Sequence, residues 1–139
     1  MLHLHNNSDE AVSMLGISNF ANDAINLMYG TDFDNKTREY ILNKIDIFLE
    51  NVEEGKEILS TGKLTGNAMQ AIDAYEFTYD FARYIPKKEF ETIVQDLRND
   101  LEALKSKKGF KNGELTTLMS FFKSVRKNAL SKVDSPVLY

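Results

Sequence analysis

The stretch Ala68–Ile85, AMQAIDAYEFTYDFARYI, decides the fold. It carries four charged side chains, Asp73, Glu76, Asp80 and Arg83. At about 100° per residue these fall within one arc of roughly 80°, and the other positions, Gln70 apart, are apolar, aromatic or small. A helix that is apolar over most of its circumference has neighbours over most of it. Tyr75, Phe77, Tyr79, Phe81 and Tyr84 offer large area on several sides. The stretch therefore predicts the central helix of an all-α bundle.

The segments around it are amphipathic at helical spacing. Pro86 closes the central helix, because proline lacks the amide donor and suits the first turn of the next one. From Pro86 to about Lys107, the residues Phe90, Ile93, Val94, Leu97, Leu101 and Leu104 form the cleanest apolar stripe in the chain. The opposite side mixes signs (Glu91, Gln95, Arg98, Glu102, Lys105), which marks a solvated, peripheral helix. A last helix is expected from Asn112 to about Val133, with Leu115, Leu118, Phe122, Val125 and Ala129 inward.

On the amino-terminal side, Ser60–Asn67 reads as a loop. Before it, Asp34 caps a helix reaching about Ser60, with Ile41, Ile45, Phe48, Val52 and Leu59 on one face. Gly55 inside it costs about 1 kcal/mol against alanine and predicts a bend or an end there. Asn7 and Glu10 have the form of a helix start. The helix they open, running to about Tyr29, has Met14, Ile17, Ala21, Ala24, Ile25 and Met28 as its stripe. Val12, Leu15, Phe20 and Leu27 lie off that stripe. The expected organisation is one domain over 1–139, a bundle of about five helices, with 1–7 a flexible leader and 134–139 a short tail.

With 139 residues, 42% of them hydrophobic and 27% charged, the chain is long enough to bury a core and too apolar to be disordered throughout. The absence of cysteine excludes disulfides, thiolate nucleophiles and thiolate metal sites. No apolar run approaches the ~20 residues that span a bilayer, and the start MLHLHNNSDE lacks the pattern of a signal peptide. The expectation is a cytoplasmic protein without a membrane partner. The net charge of −4 hides a split: Met1–Tyr84 has six Lys/Arg against fourteen Asp/Glu, and Ile85–Tyr139 has eleven against seven.

Several motifs begin and fail. Asp32 and Asp34 open like a calcium loop, but Lys36, Thr37 and Asn43 stand where an oxygen ligand, glycine and glutamate are needed. Gly62-Lys63 lacks both the earlier glycine and the following Ser/Thr of a phosphate loop. His3 and His5 have no further histidine to complete a metal site, and without one no general base is set near neutral pH. Asp73, Glu76 and Asp80 line one stripe, yet the Glu-x-x-His pairs of a di-metal bundle are missing. Arg126 lies at the edge of an apolar stripe, where it reaches water, meets a carboxylate of the central helix or, as a third choice, binds a ligand. No cofactor, metal or catalytic set is expected.

What remains is charged faces. Glu39, Asp46, Glu50, Glu53, Glu54 and Glu57 make a continuous acidic side on the second helix, suited to a partner protein with a basic surface. The expected function is a small non-enzymatic protein-interaction module of the accessory, adaptor or inhibitor type. The alternative is a nucleic-acid-binding accessory subunit using Lys105, Lys107, Lys108, Phe110, Lys111, Lys123 and Lys127. A homodimer joined through Val12, Leu15, Phe20 and Leu27 is a further expectation.

Overall fold

A computed structural model describes residues 2–64, 66–85, 88–106 and 115–134, the side chains of 2–13 and 134 excepted. Its regular elements are five helices: α1 (Leu2–Met28), α2 (Asn35–Thr61), α3 (Ala68–Arg83), α4 (Phe90–Lys105) and α5 (Thr116–Asp134). The fold is an all-α bundle.

The helix ends have local causes. After α1 the backbone turns through Gly30 at φ 79°, where the Thr31 amide bonds the Asn26 carbonyl and the Gly30 amide bonds Leu27. This is the Schellman arrangement, and it needs a residue tolerant of the left-handed region. Asp34 starts α2 by accepting the Thr37 amide at 2.6 Å, so the calcium-like Asp32–Lys36 segment serves as a cap. Gly62, at φ 77°, ends α2 with its amide on the Ile58 carbonyl. Two expected starts move. Residues 2–7 belong to α1, since Asn7 is only mildly unfavourable inside a helix. Helix α4 begins at Phe90 after the extended Glu89, while Pro86 and the 107–114 connection lie outside the described residues.

The two most extensive pairings are α1 with α5 and α2 with α3, and α4 leans on α2, α3 and α5. An aromatic cluster joins the two pairs. Phe121 and Phe122 of α5, 5.1 Å apart, receive Phe20 from α1, Phe48 from α2 and Phe81 from α3 at centroid distances of 5.3 to 5.9 Å. Edge-to-face pairs of this kind add about 0.5–1.5 kcal/mol each to the area they bury. The α4 stripe of Ile93, Val94, Leu97, Leu101 and Leu104 is buried as expected.

Helix α3 touches three other helices, but its aromatic content overstates its burial. Phe77 and Phe81 are in the core, whereas Tyr79 is 47% and Tyr84 80% exposed. Its buried face is otherwise Ala71, Ala74 and Thr78. The small residues have a reason. A Cβ on Gly55 of α2 would overlap the Ala71 carbonyl, 2.6 Å from its carbon, and come within 2.8 Å of Tyr75 Cβ. The glycine expected to bend α2 instead lets two backbones meet, and α2 continues six residues past it to Thr61. The α1 set also changes role: Leu27 is 2% exposed, Phe20 packs on the core, and Leu15 alone of the described three is exposed. The proposed dimer contact through these residues therefore loses most of its area.

Asp100 of α4 ties that helix to α5. Its Oδ2 accepts the Leu118 amide at 3.0 Å, and the Thr117 amide also points at it, so a carboxylate from a neighbouring helix caps the first turn of α5. Burial pushes its pKa above the ordinary carboxylate range, Asp96 nearby adds to this, and the two amide bonds only partly oppose it.

Two outcomes follow from these contacts. Gly55→Ala, which would gain about 1 kcal/mol in an isolated helix, should lose about 1–3 kcal/mol here through backbone overlap. A thermal melt at or above wild type would remove the close crossing. For Asp100, the folded chain holds the proton more tightly than the unfolded one, so its contribution to stability falls as pH rises above about 4. Asp100→Asn keeps an acceptor and removes the charge. Its Tm relative to wild type should be more favourable at pH 7 than at pH 3, while Asp100→Ala should cost about 0.5–2 kcal/mol through the lost cap. A difference between Asn and wild type that does not vary with pH would contradict this.

Candidate functional site

Helix α2 carries the acidic residues singled out by sequence, and the fold divides them. Asp46 receives Lys105 of α4 at 2.6 Å, and Glu53 receives Arg98 at 3.1 Å. One further bridge runs the other way, from Lys56 of α2 to Glu91. Numbers rise on α2 as they fall on α4, so the helices are antiparallel, and on α4 the bridging residues Lys105, Arg98 and Glu91 recur every seven residues, about two turns. Hydrogen bonding to Asp46 raises the pKa of Lys105, with the added attraction of Asp46 and Glu102. Bonding to Lys56 lowers that of Glu91 and raises that of Lys56 itself. Arg38 completes the contact by donating to the Leu104 carbonyl at 2.7 Å in the last turn of α4, where positive charge is favoured.

Glu39, Glu50 and Glu57 are exposed, and among the described residues no cation pairs with them; Glu54 is half-buried and engaged within the chain. Beside them stand two large side chains that charge reading alone passes over. Tyr40 is 61% and Ile47 44% exposed. Tyr40, Asn43, Ile47, Glu50, Glu54 and Glu57 follow one another at alternating steps of three and four, so they form one outward strip along α2. The signal was present in the sequence, since neither Tyr40 nor Ile47 fits the buried Ile41–Ile45–Phe48–Val52 face. At its amino-terminal end the strip borders a cleft of about 220 Å3 against α1, edged by Tyr40, Lys44 and Asp23 and floored by Phe20 and Ile41. Lys44 lies 5.4 Å from the Tyr40 ring centroid, within cation–π range. Leu59, expected inward, is 54% exposed, because the buried face of α2 passes through Gly55 and Ile58 in its last turns; Leu49 is buried as well.

The basic residues of the alternative are not brought together in the same way. Lys105 is engaged by Asp46 and Glu102. Lys107, Lys108, Phe110 and Lys111 lie outside the described residues. Lys123 and Lys127 are exposed on α5, and Lys123 donates to the Tyr29 hydroxyl at 3.1 Å. Arg126 meets neither water alone nor a carboxylate of α3. Its guanidinium donates to Asn22 of α1 at 2.9 Å, because α5 lies along α1 there. On α3, Asp80 bridges to Arg83 at 3.4 Å, Glu76 is exposed, and Asp73 is engaged within the chain. Among the described residues no three His, Asp or Glu groups stand close enough to hold a metal ion, and no helix is long and apolar enough to cross a membrane.

No protein-family model, curated protein or solved structure matches the chain.

The α2–α4 bridges are about a third exposed at Asp46 and Lys105. A double-mutant cycle with Asp46→Asn and Lys105→Met should give a coupling of about 0.2–1 kcal/mol, smaller at high salt. A coupling of zero at low salt would mean that the pair does not hold α4 to α2.

Proposed function

We propose that the protein is a non-enzymatic, cytoplasmic interaction module that receives a basic partner protein on the outer strip of α2. The observation that supports this reading is the interleaving of exposed Tyr40 and Ile47 with Glu39, Glu50 and Glu57 on a helix whose Asp46 and Glu53 are committed to α4. Large apolar side chains at the middle of a patch supply the affinity of protein interfaces. Carboxylates around them steer encounter and select a partner of opposite sign. The strip repeats at three- and four-residue steps along one helix, so a basic amphipathic helix is the segment that fits it best.

The experiment separates the two contributions. Wild type, Ile47→Ser with Tyr40→Ala, and Glu50→Lys with Glu57→Lys are used as baits, and bound proteins are identified and then purified for titration. Both variants should keep the wild-type circular dichroism and melt, since exposed substitutions change stability by about 0.5 kcal/mol or less. The apolar variant should weaken a purified partner at every salt concentration. The charge variant should weaken it chiefly at low salt. Partners bound equally by all three proteins would remove the α2 strip as the site.

A further inference from the structure

We propose that a second face, formed by α1 and α5 together, binds single-stranded nucleic acid. This rests on residues separate from the α2 strip, and it stands or falls independently of that reading.

The face is assembled from two helices distant in sequence. Tyr29, at the end of α1, is 65% exposed. Lys123 of α5 donates to its hydroxyl at 3.1 Å and lies 5.6 Å from its ring centroid, so the ring is held from one side and its surface remains open. One turn along α5 stands the exposed Lys127, and on the border toward α1 Arg126 donates to the exposed Asn22 at 2.9 Å. Asn22 and Asn26 continue the row of α1 toward Tyr29 at steps of four and three. Asp23, the acid of α1 within this row, points to the cleft against α2 instead. Between Thr116 and Val133, α5 has no acidic residue.

This combination fits one class of partner. Cations neutralise phosphates, an exposed phenol ring is a platform for an unpaired base, and asparagine amides donate to and accept from base edges or sugar oxygens. A stacked base requires that the strand be unpaired, which favours single-stranded over duplex nucleic acid. An acidic protein segment would meet the same cations, and competition between polyglutamate and oligothymidylate separates the two partners. Three cations also set the scale: recognition is weak, tolerant of sequence and dependent on salt.

The test is a titration of labelled oligothymidylate into the full chain at a series of salt concentrations. For three phosphates neutralised on a single strand, log K against log salt should fall with a slope of about −2. Tyr29→Ala should weaken binding by about fivefold to a hundredfold, and Tyr29→Phe, which keeps the ring, should bind as wild type. Lys123→Ala with Lys127→Ala should weaken binding and flatten the salt slope by about 1.4. Lys127→Ala alone, at an exposed side chain, gives the same readout with a smaller slope change should loss of Tyr29 disturb the end of α1. No binding by wild type at low salt would overturn the proposal. So would equal binding by wild type and the lysine variants, or competition by polyglutamate as effective as that by unlabelled oligothymidylate.

Discussion

The contact at Gly55 constrains more of this molecule than any other. With no side chain there, the α2 backbone comes against the Ala71 carbonyl and the Tyr75 Cβ of α3. That contact fixes the register of the α2–α3 pair. Two turns back on α2 stands Phe48, and a comparable distance forward on α3 stands Phe81; both therefore arrive at the same level and both meet Phe121, at 5.8 and 5.5 Å. Phe121 and Phe122 are adjacent on α5, so the register of one helix pair is passed directly to the other through Phe122 and Phe20. A shift of α2 against α3 would separate the two rings that α5 recognises. Packed interiors resist such shifts because they have no spare volume.

Much of this was legible from the chain alone, and the exceptions share a cause. The stripe of α4 apart from half-buried Phe90, together with Leu115 and the inward residues Leu118, Phe122, Val125 and Ala129 of α5, is buried, because these positions share the apolar face that each segment turns to the core. Phe121 was not assigned inward, yet it is fully buried, because α5 is covered by α1 on one side and by α3 and α4 on another, with the Phe48 ring of α2 reaching in between. Periodicity reports one face well and two faces poorly. The tyrosines of α3 misled in the opposite direction. A tyrosine ring is large and apolar, but its hydroxyl is satisfied cheaply at the surface, and Tyr79 and Tyr84 take that option. Gly55 was visible as an anomaly, but only the partner backbone explains it.

Charge was the least legible property, since sequence gives the sign of a face and withholds what stands opposite. The acidic side of α2 looked continuous. In the fold, Asp46 and Glu53 are turned to α4 and matched by Lys105 and Arg98, so part of the split between the acidic and basic halves is resolved inside the chain. The pattern was present on both helices as seven-residue spacings of opposite sign. Recognising it needed the knowledge that α2 and α4 are antiparallel neighbours, which no local feature supplies. What the matching leaves over is a shorter set of acids beside two exposed apolar side chains, a combination with more character than an acidic face alone.

Net charge is a poor guide to such a molecule. Exposed charges are screened over about 8–10 Å at physiological ionic strength, close to the distance between the axes of two packed helices. A face on α2 and a face on α5 are therefore felt by a partner as separate fields, although they sum to a mildly acidic protein. The internal bridges sharpen the separation. By pairing with Asp46 and Glu53, Lys105 and Arg98 of α4 are turned away from the acids that remain exposed on α2. The same pairs that hold α4 in place thus leave Glu39, Glu50 and Glu57 to set the sign of the outer side of α2.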